Sequence, residues 1–252
     1  MSALILQSLE DKPVHLVRTI NARRGGGRES VFVPILRGVV SGLPKSLDGL
    51  VLTSDLQGLV KNRAGDLQPS GVAIATELNH LVELKRFGVI LAGDLYSEPD
   101  ASRRGGFGDV ASVWSAFLHR SAWVAGVAGN HDDVSALPSA ARLLDSEMAQ
   151  LDGLRIGGVG LISGDPEKRG RRGEMDQLAA IELVSDEHPD ILVLHEGPPG
   201  GAEQPGNERI ERHVPFIVCG HVHWENPVHH DAPGVIINVD ARVIVLSRST
   251  DR

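Results

Sequence analysis

Five short apolar runs, each closing on a polar residue beside a glycine or a turn, limit how this chain can fold. They are 49–53 before Ser54-Asp55, 88–92 before Gly93-Asp94, 123–128 before Gly129-Asn130-His131-Asp132, 191–194 before His195, and 216–219 before Gly220-His221-Val222-His223. Runs this short and this continuously apolar fit strands buried on both faces. Between them lie helical spacings: Leu78, Leu81, Val82 and Lys85 share one face, as do Val110, Val113, Trp114 and Phe117 after an N-cap at Asp109. Strands alternating with helices predict an α/β architecture with a largely parallel sheet. Both ends differ. Residues 14–20 and 30–36, joined by the glycine cluster in Arg23–Arg28, read as a hairpin within a strand-rich stretch, 1–49. Residues 235–239 and 243–246, flanking Asp240-Ala241, read as a closing hairpin. No linker or repeat interrupts the chain, so its 252 residues are expected to form a single domain, with 1–49 integrated into it.

Composition narrows the class. No apolar run approaches the ~20 residues of a membrane span, and the first residues turn polar too soon for a signal peptide. A single cysteine, Cys219, excludes an internal disulfide framework and makes the cytoplasm the expected location. A net charge of −8 and 4% aromatic residues speak against broad nucleic-acid binding.

In open α/β sheets ligands bind beyond the carboxyl ends of the strands. If the five strands are neighbours, Asp55, Asp94, Asn130, His195, His221 and His223 converge on one crevice. Carboxylate, amide oxygen and imidazole form a mixed donor set for manganese, iron or zinc. The donors outnumber what one tetrahedral ion takes and suit two divalent ions sharing a carboxylate, an arrangement for phosphoryl chemistry. Singly, a strand-ending Asp or Asn is more often a cap or turn residue. Two histidines two apart after a buried strand are not explained that way, and on an extended backbone they would point the same way.

Asp55-Leu56-Gln57, Gly93-Asp94, Gly129-Asn130-His131-Asp132, His195 and Gly220-His221-Val222-His223, in this order, resemble the five blocks of the calcineurin-like metallophosphoesterases. The resemblance implies a four-layer α/β/β/α sandwich of two mixed sheets flanked by helices, with the metals at the carboxyl ends of the strands. It implies Asp55, position 57, Asp94 and His223 on one metal, and Asn130, His195 and His221 with a bridging Asp94 on the other. His131 would sit beside the scissile phosphate as a general acid, with Asp132 orienting it. Two departures stand out. Gln57 occupies a position where the family usually has histidine, which predicts a looser first site biased toward manganese or magnesium. Leu95-Tyr96-Ser97-Glu98 follows the second block, where the Ser/Thr protein phosphatases carry Asp-Arg-Gly.

Two basic loops follow strand ends, one with Arg103-Arg104 and one with Arg169 and Arg171. Arginine suits phosphate through its bidentate fork, while a solvated turn is the alternative. His229 and His230 read as surface residues, and Cys219 as a small buried hydrophobe. The expectation is a cytoplasmic phosphodiesterase with two divalent ions, acting on nucleotide-type or other diesters. The rivals are a nuclease on DNA or RNA ends and a binding scaffold that lost turnover.

Overall fold

The five apolar runs become strands because side chains on both their faces find an apolar layer to pack against. In the computed structural model, which describes residues 3–201 and 203–249, every position of Gly49–Ser54, Phe87–Leu91, Trp123–Gly126 and Phe216–Gly220 is buried. The alternation of strand side chains then sorts the residues. Leu50, Leu52, Ile90 and Ala125 share a core with Ile156, Val193, Val218 and Ile237 of a second sheet, so the two sheets face each other. Val51, Val89 and Val124 point the other way, onto Ile74 and Leu78 of helix α1 (Ser70–Leu81) and Trp114 and Phe117 of α2 (Ala111–Leu118). Leu192, Leu194 and Ile217 meet Ile181 and Val184 of α3 (Glu174–Asp186). Each fully buried aliphatic side chain contributes about 1.5–3 kcal/mol.

The architecture is α/β with mixed sheets and few helices. The five strands are not all neighbours. Gly49–Ser54, Phe87–Leu91 and Trp123–Gly126 lie side by side and parallel in a ten-stranded sheet, while Ile191–Glu196 and Phe216–Gly220 pair in a six-stranded one. The N-terminal hairpin forms as the sequence predicts. His15–Ala22 runs antiparallel to Arg28–Ser41, with Thr19 opposite Val31, and Gly25, Gly26 and Gly27 take the positive φ angles the turn requires.

The closing hairpin does not form. Gly234–Asn238 belongs to the six-stranded sheet, antiparallel to Val228–Asp231 and parallel to Phe216–Gly220. Arg242–Arg248 belongs to the ten-stranded sheet, antiparallel to Gly49–Ser54 and parallel to Arg28–Ser41. Asp240-Ala241 carries the chain from one sheet to the other, with Ala241 at φ 51°. Both runs are apolar on both faces, and each buries more between two strands of its own sheet than as half of an edge hairpin. Two local expectations also shift. Helix α1 stops at Leu81 because Val82 is extended, and Lys85 falls in the 3-10 turn Leu84–Arg86. The N-cap of α2 is Val110, not Asp109, whose carboxylate sits one residue further out and accepts the Ala111 N–H at 2.8 Å. Among the described residues no helix is long and apolar enough to cross a membrane.

Candidate metal centre

Where the strands end, the backbone bends sharply. Asp55, Asp94 and His221 sit at φ 54°, 55° and 68°, a left-handed region that non-glycine residues enter uncommonly and that clusters at functional sites. The bend turns each side chain into the crevice between the two sheets. The Gly93-Asp94 and Gly129-Asn130 turns press together there. A Cβ on Gly129 would lie 2.1 Å from both the Asp94 amide nitrogen and its Oδ1, so only glycine allows the approach.

Four donor side chains meet at this point. Asp94, His195 and His221 each offer a ligand atom within 4.8 Å of the others. Asn130 Oδ1 lies 3.1 Å from His195 Nε2, and Asp94 Oδ1 lies 3.4 Å from it. His195 is fully buried, and its Nδ1–H donates to the Ala92 carbonyl at 2.8 Å, which aims Nε2 at the cluster. Burial opposes a charge on this ring, but the Asp94 carboxylate, and then Asp55, outweigh it and hold the imidazolium up to about 10. Burial works against ionised Asp94 as well, yet His195 and His131 pull its carboxyl below the usual range. Asp55 is pushed well above that range, first by burial and then by the Asp240 charge. Carboxylate, amide oxygen and two imidazoles fit a divalent cation.

The other half of the expected set is less complete. The Gln57 Nε2 donates to Asp94 Oδ2 at 3.1 Å, so its amide nitrogen faces the carboxylate. Asp55 Oδ2 accepts Ser54 Oγ at 2.6 Å and the His221 N–H at 3.0 Å. His223 does not join. The strand ends at Gly220 and His221 is left-handed, so the two histidines do not share a side as an extended backbone would require. The His223 side chain is 62% exposed, with Nδ1 paired to Asp240 Oδ2 at 2.8 Å and its ring against the Arg242 guanidinium. Asp94, Asn130, His195 and His221 would hold one ion. Asp55, Gln57 and Asp94 would contribute to the second.

His131 lies beside Asp94, its backbone N–H donating to Oδ1 at 2.9 Å. Its ring Nδ1 pairs with the Gly106 carbonyl at 2.8 Å, leaving Nε2 3.9 Å from Asp94 Oδ2. Asp132 does not orient this ring, contrary to expectation. Its carboxylate instead accepts the N–H groups of Leu95 (2.7 Å), Tyr96 (3.0 Å) and Gly129 (3.0 Å), and so ties together the two turns that carry Asp94 and Asn130.

A cavity of about 400 Å³ opens over the centre, lined by Asp55, Gln57, Asp94, His131 and His221. Arg103 and Arg104 line it too, with Arg103 paired to Glu98 at 3.1 Å. Arg169 and Arg171 are not part of the lining. Arg169 stacks over the Phe107 ring at 5.4 Å, and Arg171 is the exposed residue of the short strand Arg171–Arg172. Their loop still touches the site, because a Cβ on Gly170 would fall 2.2 Å from the Asn130 carbonyl oxygen. Cys219 is buried and burial pushes its thiol up to about 12, in line with a packing role. Sequence reasoning missed Asp240, which lines the same cavity although the sequence places it in a hairpin turn. The signal was present, since Asp240 also follows an apolar strand. It missed Asn21 and the Gly106 carbonyl as well, and nothing local in the sequence marks either one.

No curated protein matches this chain. Among solved structures it is similar to TT1561 of Thermus thermophilus, at 16% identity over 77% of this chain and 90% of that one, with a TM-score of 0.48. It is also similar to AQ665 from Aquifex aeolicus, described as a protein of unknown function, at 15% identity over 78% and 95%, with a TM-score of 0.38. The profile of the calcineurin-like phosphoesterases matches residues 51–225, more than half of the chain and every block of the site, and the chain belongs to that family.

Proposed function

We propose that this protein is a metal-dependent phosphodiesterase acting on small, nucleotide-type diesters in the cytoplasm, within a four-layer helix–sheet–sheet–helix frame. The observation that carries the reading is the convergence of Asp94, Asn130, His195 and His221 donor atoms beneath a cavity flanked by His131 and two arginines. Divalent ions bound there, manganese foremost, supply Lewis acidity and charge neutralisation to the phosphoryl group. The rest falls to the protein. Arg104 and Arg103 bind phosphate oxygens through their guanidinium forks. His131, held through Nδ1 by the Gly106 carbonyl, presents Nε2 to the departing oxygen and hands it a proton. The diester is favoured because Glu98 already neutralises Arg103 and Asp240 adds an acidic wall, which suits a substrate with one negative charge better than one with two.

The test is hydrolysis of an aryl phosphodiester beside the matching monoester, with metal-stripped protein and then with manganese added. Manganese-dependent turnover that is faster on the diester is the expected result. Faster monoester hydrolysis would overturn the diester preference, and silence with manganese, magnesium, zinc and iron would overturn the enzyme. A scaffold without turnover is the second reading, favoured by the outward His223 and by Gln57. It predicts a single bound ion.

A further inference from the structure

The hairpin His15–Ala22/Arg28–Ser41 lies outside the segment that matches the family, residues 51–225. Its two faces do different things. On one, Arg18 bonds Ser30 Oγ at 2.9–3.1 Å at the protein surface. On the other, Thr19, Asn21, Glu29 and Val31 form a wall of the metal cavity. The hairpin is stitched to the segment just beyond the first metal block, with Ile20 pairing to Leu59.

The turn 55–58 that carries Asp55 and Gln57 is held at several points. Asp55 N–H donates to the Gly93 carbonyl at 2.9 Å, and Gly58 N–H donates to Ser97 Oγ at 3.1 Å. Ser70 Oγ donates to the Leu56 carbonyl. The Gln57 carbonyl is held from the hairpin, by Asn21 Nδ2 at 2.8 Å. Asn21 is itself fixed, because Thr19, buried to 1% exposure, donates its hydroxyl to Asn21 Oδ1 at 2.8 Å. Contact is close enough that a Cβ on Gly58 would sit 2.4 Å from that same Oδ1.

We propose that the N-terminal hairpin is a working part of the metal centre, with Asn21 as the positioning residue that sets the Asp55–Gln57 side of it. The Asp94, Asn130, His195 and His221 cluster is fixed by its own backbone contacts. The Asp55 side contains Gln57 where imidazole would bind more tightly, and it lacks His223, so its affinity depends more on how the turn is held. A hydrogen bond behind a ligand-bearing turn is worth roughly 10–100-fold in metal affinity. This inference rests on the metal-binding reading above, though not on turnover.

The experiment is manganese titration of the metal-stripped full chain by calorimetry, comparing wild type with Asn21→Ala and Asn21→Leu. The leucine variant keeps the volume and removes the whole amide, both the donor to the Gln57 carbonyl and the acceptor of the Thr19 hydroxyl, which keeps the Val31 carbonyl as a partner at 3.2 Å; near-UV circular dichroism checks the fold. Arg18→Ala, on the outer face of the same hairpin, is the control. Two manganese equivalents are expected in wild type, one of them weakened ~10-fold or more in both Asn21 variants and unchanged in Arg18→Ala. In the variants kcat on a phosphodiester should fall, and excess manganese should restore it. Unchanged affinity in Asn21→Leu would overturn the proposal, as would equal weakening in Arg18→Ala. A wild type that takes one equivalent, unaffected by Asn21→Leu, would also overturn it. Absence of turnover in wild type would count against the phosphodiesterase reading, while the titration would still decide the role of Asn21.

Discussion

Asp132 is the residue whose removal should disturb the centre most without touching substrate. It is 4% exposed and accepts three backbone N–H groups, from Leu95, Tyr96 and Gly129. Asp132→Ala leaves those donors buried and unpaired, at about 1–3 kcal/mol each. A partial offset comes from the carboxylate itself. Burial, and then the Asp94 charge, push its carboxyl up from 3.8 to about 6, so keeping it ionised at neutral pH costs about 3 kcal/mol. The net loss is about 3 kcal/mol, and metal affinity should fall ~10-fold or more because both ligand-bearing turns are released. Asp132→Asn keeps the Leu95 and Tyr96 bonds, sets an amide N–H against Gly129, and removes the buried charge, leaving stability at pH 7 within about 1 kcal/mol of wild type. The two proteins should differ in pH dependence. A carboxyl whose folded pKa is raised above its unfolded value binds the proton more tightly when folded. The stability it contributes is therefore present below the unfolded value of 3.8 and is lost as pH rises to about 6. Urea unfolding in chelator at pH 4.5 and 7.5 measures this, and relative to wild type Asp132→Asn should gain at the higher pH. An Asp132→Ala protein within about 0.5 kcal/mol of wild type would refute the three-bond staple.

His131→Ala should lower kcat by ~10²–10⁴-fold with manganese affinity unchanged, read by steady-state kinetics beside calorimetry. Gln57→His should tighten the weaker manganese site, since imidazole replaces an amide that now points its nitrogen at Asp94; unchanged binding would mean that Gln57 faces no ion. Arg103→Ala/Arg104→Ala should raise the KM for a phosphodiester more than Arg169→Ala/Arg171→Ala does, because the first pair lines the cavity and the second does not. Equal effects would mean that the 168–172 loop folds over the substrate.

The strand-ending motifs are legible in the sequence because the strands are short, buried on both faces and punctuated by glycine, which places Asp55, Asp94, Asn130, His195 and His221 at one end of the fold. Sheet membership is not legible. The run 234–238 and the run 242–248 look alike in composition, and which sheet each joins depends on partners as remote as Gly49–Ser54. His223 misleads for a local reason. Alternation assumes an extended backbone, and the left-handed turn at His221 breaks it. Asp132 misleads because a carboxylate beside a histidine invites a side-chain pairing, whereas backbone amides compete for the same oxygens at shorter range. Asn21 acts across 36 residues on a main-chain carbonyl, which has no side-chain signature to read.

The crossing at Asp240-Ala241 bears on how the molecule assembles. Arg242–Arg248 is wedged between Gly49–Ser54 and Arg28–Ser41, so the N-terminal hairpin joins Gly49–Ser54 through a strand 208 positions later, as in the pairing of Ile35 with Val243. During synthesis both flanking strands wait with open edges until that late segment emerges, and open edges recruit other chains. Loop closure over such a span is slow. Shortening the chain to the family-matched residues 51–225 would remove the hairpin and Arg242–Arg248 together, leave the remaining strand residues 51–54 unpaired on that side, and take away the wall that Asn21 lends to the cavity. The ten-stranded sheet therefore closes only when Arg28–Ser41 and Gly49–Ser54 have both met Arg242–Arg248, and the wall that the hairpin gives the cavity is set by the same event.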